Sequence, residues 1–352
     1  LKRVFVFSIF VLMAVGLMAS TLGGCEQRSR TLRLGGGPYG GTFQLVGEGL
    51  VEVLQPHHPG YRFMVERSGG SVANLRALER EQMDLGLVYA ADFWVSGGPD
   101  EKPVPVQLKN ALPAARLFGA VAQLAVLERS RITRPEQLRG ARIAVGNPGS
   151  GAARAAERYF RALGIWEQIV PVYLGYDMAV SELLRGNVVA VWEMVGVPSA
   201  SFEAALAQRP LRLINLRDVA GMVRFFELNP YYRPVDIASG TYEGQQQAVS
   251  SFEDSALLVA GRHLSRDMVW RILEGVYSEE GVKSLRRVHP VLADFSAAAA
   301  LTGINIPLHP GAAYFWRQQG RELPAALLPE AVEDSPLVNR DLPDPGGKSP
   351  EP

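Results

Sequence analysis

Three glycine-rich turns carry most of the chemistry legible in this chain: GGGPYGGT (Gly35–Thr42), SGGS (Ser68–Ser71) and GNPGSG (Gly146–Gly151). Each follows a short apolar run and precedes a segment whose apolar residues have helical spacing. The first amides of a helix have no internal acceptor, and the helix dipole adds partial positive charge at that end. Glycine lets backbone approach a ligand closely, so turns of this kind suit anions. Gly41, Ser68, Gly70 and Gly151 would supply close backbone, and Thr42, Ser71 and Ser150 would add hydroxyl groups. The same residues also have a plainly geometric use, since Thr42 or Ser71 can serve as a helix N-cap.

The third turn allows a test for nucleotides. Gly146 and Gly151 have the G-x-x-x-x-G spacing of a P-loop, but Ala152 and Ala153 follow where lysine and serine or threonine are needed. Without a phosphate-binding lysine and a magnesium-binding hydroxyl, an NTPase is excluded. No G-x-S-x-G elbow frames Ser150, so no catalytic serine is assigned. His57 and His58 lie in a polar turn, His289 and His309 each precede a proline, and with His263 they show no metal-ligand spacing; solvated or capping roles are expected, with no metal and no cofactor.

Acidic and aromatic residues could complete a cleft. Asp84 suits the turn before its strand, and Asp92 adjoins a strand end. Glu193, closing VVAVWE, could reach the cleft, where it would favour a ligand amino group or pair with an arginine. Phe43, Tyr89, Tyr231 and Tyr232 offer faces for a carbon skeleton, with core or hinge packing the alternative for the last two.

The elements that must position these groups form a recurring unit of strand, glycine turn and helix. Thr31–Leu34 leads to a helix from Phe43, Tyr61–Val65 to Val72–Glu81, and Ala141–Val145 to Ala152–Leu163. Asp84–Tyr89 and Val188–Glu193 read as buried strands, and Pro171–Leu174 precedes a helix over Asp177–Arg185. This alternation predicts an α/β fold with largely parallel sheets. Leu117–Leu127 and Ser255–Val259 are apolar runs outside the units, with one complete set of units between them. The layout predicts two lobes, residues 31–118 plus 256–340 and residues 119–255, with helices over Ser265–Val276 and Pro290–Gln319 closing the first.

The ends read differently. Lys2-Arg3, an apolar run to about Met18 and Leu22-Gly23-Gly24-Cys25 form a secretory signal, with Cys25 placed as in a bacterial lipobox. Residues 1–25 are therefore expected to be a signal peptide and Cys25 the lipidated start of an exported body. An uncleaved membrane anchor and an ordinary signal are the alternatives. The tail 341–352 (DLPDPGGKSPEP) has little to bury and is expected to be disordered. Between the ends, 47% hydrophobic and 20% charged residues describe a folded body. With 36 basic and 36 acidic residues and no basic run, nucleic acid is not an expected partner. A single cysteine excludes an intrachain disulfide.

Taken together, GGPYGGTFQLVGEGL (Gly36–Leu50), ERSGGSVANLRALEREQMDLGLVYAAD (Glu66–Asp92) and LRGARIAVGNPGSGA (Leu138–Ala152) resemble the TAXI-type solute-binding proteins of TRAP transporters. NPYYRPVDIASGTYEGQ (Asn229–Gln245) and PLHPGAAYFWRQQG (Pro307–Gly320) extend the resemblance in family order. It implies a type II periplasmic-binding-protein fold, two α/β lobes joined by crossing hinge strands. It also implies a monomeric, non-enzymatic receptor that captures a small organic anion, such as glutamate, a dicarboxylate or a keto acid, for a TRAP-type membrane permease. On that resemblance the cleft falls at Gly41, Thr42, Ser68, Gly70, Ser71, Tyr89, Ser150 and Gly151. Four residues depart from the pattern: Tyr89 stands where relatives often have a smaller or amide side chain, Ala152 replaces a frequent threonine, and Trp192-Glu193 lies in a usually more apolar strand. A lipoprotein coupled to a membrane sensor and an extracytoplasmic enzyme with Ser150 or Glu193 catalytic are the competing functions.

Overall fold

The computed structural model describes residues 30–96, 101–219 and 222–329. Cys25 with the expected signal segment, and the 341–352 tail, lie outside them. Among the described residues no helix is long and apolar enough to cross a membrane.

One ten-stranded sheet runs through the molecule. Its first part is β1 (Arg30–Gly35), β2 (Tyr61–Glu66) and β3 (Leu85–Tyr89), with β1 parallel to both neighbours. Its last part is β7 (Arg142–Gly146), β8 (Val170–Tyr173) and β9 (Ala190–Val195), again parallel about the middle strand. We call these the first and second lobes. β4 (Trp94–Val95) and β5 (Val104–Pro105) form a separate small ribbon. Joining the lobes are two long antiparallel strands, β6 (Ala111–Leu127) and β12 (Val249–Gly261). The order is β2-β1-β3-β12-β6-β9-β7-β8, with β10 (Leu211–Leu213) on β6 and β11 (Arg233–Ile237) on β12.

The central strands explain why the sheet is covered on both faces. β3 and β9 are buried at every position, as expected of strands that read as continuous apolar runs between helices. Helices α1 (Thr42–Leu54), α2 (Ser71–Glu79), α3 (Gly151–Ala162) and α4 (Tyr176–Arg185) follow β1, β2, β7 and β8. In α1, Phe43, Val46, Leu50 and Val53 repeat at three- and four-residue intervals and form its buried face. Next come α5 (Ala200–Leu206) and α6 (Met222–Leu228), and then α7 (Arg266–Tyr277), α8 (Glu279–Leu285) and α9 (Pro310–Gln318). α7 packs on α1 and α9, so the C-terminal segment returns to the first lobe. In the second lobe Trp192 on β9 lies fully buried among Tyr159, Phe160 and Phe252.

The crossing strands are longer than the apolar runs Leu117–Leu127 and Ser255–Val259, because each lobe uses one end of each strand. The expected helix over Pro290–Gln319 is confined to α9. Before it the chain makes only single turns at Pro290–Leu292 and Ala297–Ala299. The alanine run Ala297–Ala300 is too short to repay helix nucleation on its own.

Candidate functional site

The glycine turns sit where the strand order places them, at the carboxyl ends of β1, β2 and β7, facing one another across the space between the lobes. A cavity of ≈ 20 Å3 lies there, little more than one water molecule needs. Its lining brings together Gly41, Thr42 and Phe43 of the first turn, Gly70 and Ser71 of the second, and Ser150, Gly151 and Ala152 of the third. Tyr89, Pro38 and Asn147 complete it with a fourth strand–helix junction, Gly175-Tyr176 at the start of α4. Four helix N-termini therefore converge, each with the equivalent of about half a positive charge. No lysine, arginine, histidine or carboxylate is among the lining residues.

Local chemistry fixes each turn. Gly70 holds φ at +108°, a region that side chains other than glycine rarely occupy, and its N–H donates to Ser68 Oγ at 3.0 Å. Ser68 in turn donates to Gly36 O at 3.1 Å, tying the second turn to the first. Ser150 caps α3 by accepting from Ala153 N at 3.1 Å. Thr42 and Ser71 do not cap; they are the first helical residues after Gly41 and Gly70. Thr42 Oγ1 instead accepts from Gly196 N of the second lobe at 3.1 Å. The Ser71 hydroxyl is held between Tyr89 N, which donates to it at 2.8 Å, and Asp92 Oδ2, to which it donates at 2.6 Å.

Behind the turns, the fully buried Asn74 gathers three carbonyls onto its side-chain amide: Gly35 O at 2.9 Å, Gly36 O at 2.6 Å and Leu87 O at 2.8 Å. It fastens the first turn to the end of β3. Tyr89 crosses between the lobes and donates from its hydroxyl to Met194 O at 2.5 Å; the same carbonyl takes the Tyr176 hydroxyl at 3.3 Å. Burial pushes both phenols well above their usual range, so they act as neutral donors.

A second set of contacts joins the lobes beside the cavity. The buried Asp92 of the first lobe has Arg154 Nε at 3.7 Å and Arg158 Nη1 at 3.8 Å, both from α3. Arg158 also donates to Ala91 O at 3.1 Å and to Tyr232 Oη at 3.1 Å, and its guanidinium lies over the Tyr231 ring. Asp254 on β12 accepts from Ala91 N, and burial and the neighbouring Asp92 raise its carboxyl well above the usual range.

Three expected site residues lie elsewhere. Glu193 does not reach the cavity: its side chain is fully buried in the second lobe, taking the hydroxyls of Ser199 and Ser201. Burial raises it to about 7, against the opposing effect of the two serines. Side chains alternate along a strand, so on β9 the faces of Trp192 and Glu193 are opposite, and neither is the cleft edge. Tyr232 stacks on Phe225 and holds Arg158; it is packing, not cleft wall. Ser68 braces two turns without lining the cavity. Of the histidines, His289 and His309 accept from Val291 N and Gly311 N as caps, and His263 pairs with Asp84.

Tyr176 and Gly175 lie outside the three turns singled out in the sequence. The signal was present, since VPVYLG before YDM repeats the strand–glycine–helix unit, but with one glycine where the other turns have two to five.

The strand order β2-β1-β3-β12-β6, mirrored in the second lobe by β8-β7-β9-β6, defines a type II periplasmic-binding-protein fold. The model of the NMT1-like family matches residues 34–320, and the chain belongs to that family. Among solved structures it is similar to the periplasmic aliphatic sulphonate binding protein SsuA from Escherichia coli, at 18% identity over 85% of this chain and 95% of that one, with a TM-score of 0.39. It is also similar to the alkanesulfonate-binding protein SsuA from Xanthomonas axonopodis pv. citri bound to MOPS, at 17% identity over 85% and 96%, TM-score 0.42. A substrate binding protein of an amino acid ABC transporter matches at 9% identity over 73% and 96%, TM-score 0.47.

Proposed function

We propose that this chain is the extracytoplasmic solute-binding receptor of a TAXI-class TRAP transporter, tethered through lipid at Cys25, that closes on a small organic anion and delivers it to a membrane permease. The observation that carries this reading is the convergence of four helix starts, two from each lobe, on one cavity without a cationic side chain. Amide dipoles arranged in this way favour a carboxylate or sulfonate head group. A ligand that touches both lobes favours the closed state, which is the form a permease would read.

Binding without chemistry fits the hydroxyls. Ser150 spends its oxygen on the helix cap, and Ser71 is held inward by Asp92 and Tyr89 N. The lining also lacks a carboxylate to meet an ammonium group. Keto acids and dicarboxylates therefore suit it better than glutamate.

A thermal-shift panel of keto acids, dicarboxylates, sulfonates and amino acids tests this, with calorimetry on any hit. A ligand present at a hundred times its Kd stabilises the folded state by ~2.7 kcal/mol. The expected result is a clear shift with one or more simple anions and none with their amino-acid counterparts. A flat panel would refute the receptor reading.

A further inference from the structure

One side chain of the cavity lining is gripped from both lobes. Tyr89 stands at the end of β3, and its ring lies against Phe43 at the start of α1, with centroids 4.6 Å apart. On the other side it meets Gly151 at the start of α3 so closely that a Cβ there would overlap the ring. The residue is pinned at both ends, its amide donating to Ser71 Oγ at 2.8 Å and its hydroxyl to Met194 O at 2.5 Å. A ring so fastened has little freedom to swing aside, and it is 6% exposed.

We propose that Tyr89 is the specificity-determining residue that sets the length of the carbon skeleton the receptor accepts. This rests on the reading of the cleft as an anion site. A head group held by the helix starts can extend only as far as the ring permits. Any organic anion is larger than this cavity and parts the lobes a little; a longer skeleton parts them further, until the Tyr89–Met194 and Thr42–Gly196 hydrogen bonds that close the cleft are broken. The ligand class is therefore the short-chain organic anions, with length discriminated by lost closure and not by a charged contact at the far end.

The test measures Kd for linear carboxylates from acetate to octanoate, and for the matching sulfonates, on the full protein and on Tyr89→Phe, Tyr89→Leu and Tyr89→Ala. Tyr89→Phe keeps the ring and loses only the bond to Met194, so short chains, whose complexes keep that bond, weaken, while long chains, whose complexes already lack it, hold the affinity they had. Tyr89→Leu and Tyr89→Ala move the optimum to longer chains. The ratio of long- to short-chain affinity should change by about tenfold or more, the usual worth of a methylene in an apolar pocket. Two truncations are included because alanine at a core position is the more destabilising; thermal melts establish which variants are folded. If the wild type binds anions and the folded truncations keep its length preference, the length proposal is overturned while the receptor reading stands. If no acid of either series binds the wild type, the length proposal is overturned, and the receptor reading falls with it only if keto acids and dicarboxylates also fail to bind.

Discussion

Glu193 gives the sharpest test of how charge is managed behind the cleft. Its carboxyl is fully buried and receives two serine hydroxyls, yet burial outweighs them and lifts it from 4.5 to about 7. A raised carboxyl means that the folded protein holds a proton that the unfolded chain has already released. Stability from this group is complete below pH 4.5 and is lost as pH rises toward 7, after which it levels. Each pH unit in that window is worth ~1.36 kcal/mol, so the full loss is roughly 3 kcal/mol. Glu193→Gln keeps the shape and removes the titration. Urea unfolding of both proteins at pH 5, 6, 7 and 8 isolates the effect, because other titrating groups are common to the two. His58, His289 and His309 have lowered values and work in the opposite sense, while Asp254 works in the same sense. The wild type should lose about 2–3 kcal/mol relative to the glutamine protein between pH 5 and 8. Parallel curves for the two proteins would refute the reasoning.

Other substitutions probe the turns themselves. Asn74→Ala removes the side-chain amide whose two N–H groups are shared among the Gly35, Gly36 and Leu87 carbonyls; at about 0.5–1.5 kcal/mol per hydrogen bond it should cost roughly 1–3 kcal/mol in chemical denaturation. A loss under about 0.5 kcal/mol would mean that water replaces the amide freely. Gly151→Ala places a Cβ 2.6 Å from Asp92 Oδ2 and into the Tyr89 ring, so the lobes cannot meet as they do here. Small-angle scattering should show a larger radius of gyration than for the wild type. An unchanged radius would show that the interface yields without opening.

Much of this site was legible because its grammar is local. The turns at Gly35–Thr42, Ser68–Ser71 and Gly146–Gly151 announce themselves by glycine density, and a strand ahead with a helix behind fixes which end of the sheet they occupy. Gly175-Tyr176 escaped because one glycine between a strand and a helix is common at ordinary turns. Glu193 misled for another reason. The apolar run VVAVWE locates a strand, but which face of β9 meets the cleft depends on pairing with β6, where Glu193 sits opposite Gln123. Tyr232 likewise has the composition of a binding residue, and only the position of Arg158, far away in sequence, shows that its hydroxyl is taken. The Asp92 contacts with Arg154 and Arg158 join residues from different lobes, and no local pattern reports such a pairing.

The place of β12 in the sheet has a consequence for how the molecule is made. This strand lies between β3 and β6, yet it comes from residues 249–261, after every strand of the second lobe. Emerging from the N-terminus, β1, β2 and β3 form a sheet fragment whose β3 edge stays unpaired until β12 arrives. The second lobe, by contrast, has β7, β8 and β9 close together in sequence and can assemble earlier. Long-range pairing of this kind slows folding and leaves an exposed strand edge during synthesis. The chain is thus built to finish late, with the cleft completed by the last strand added.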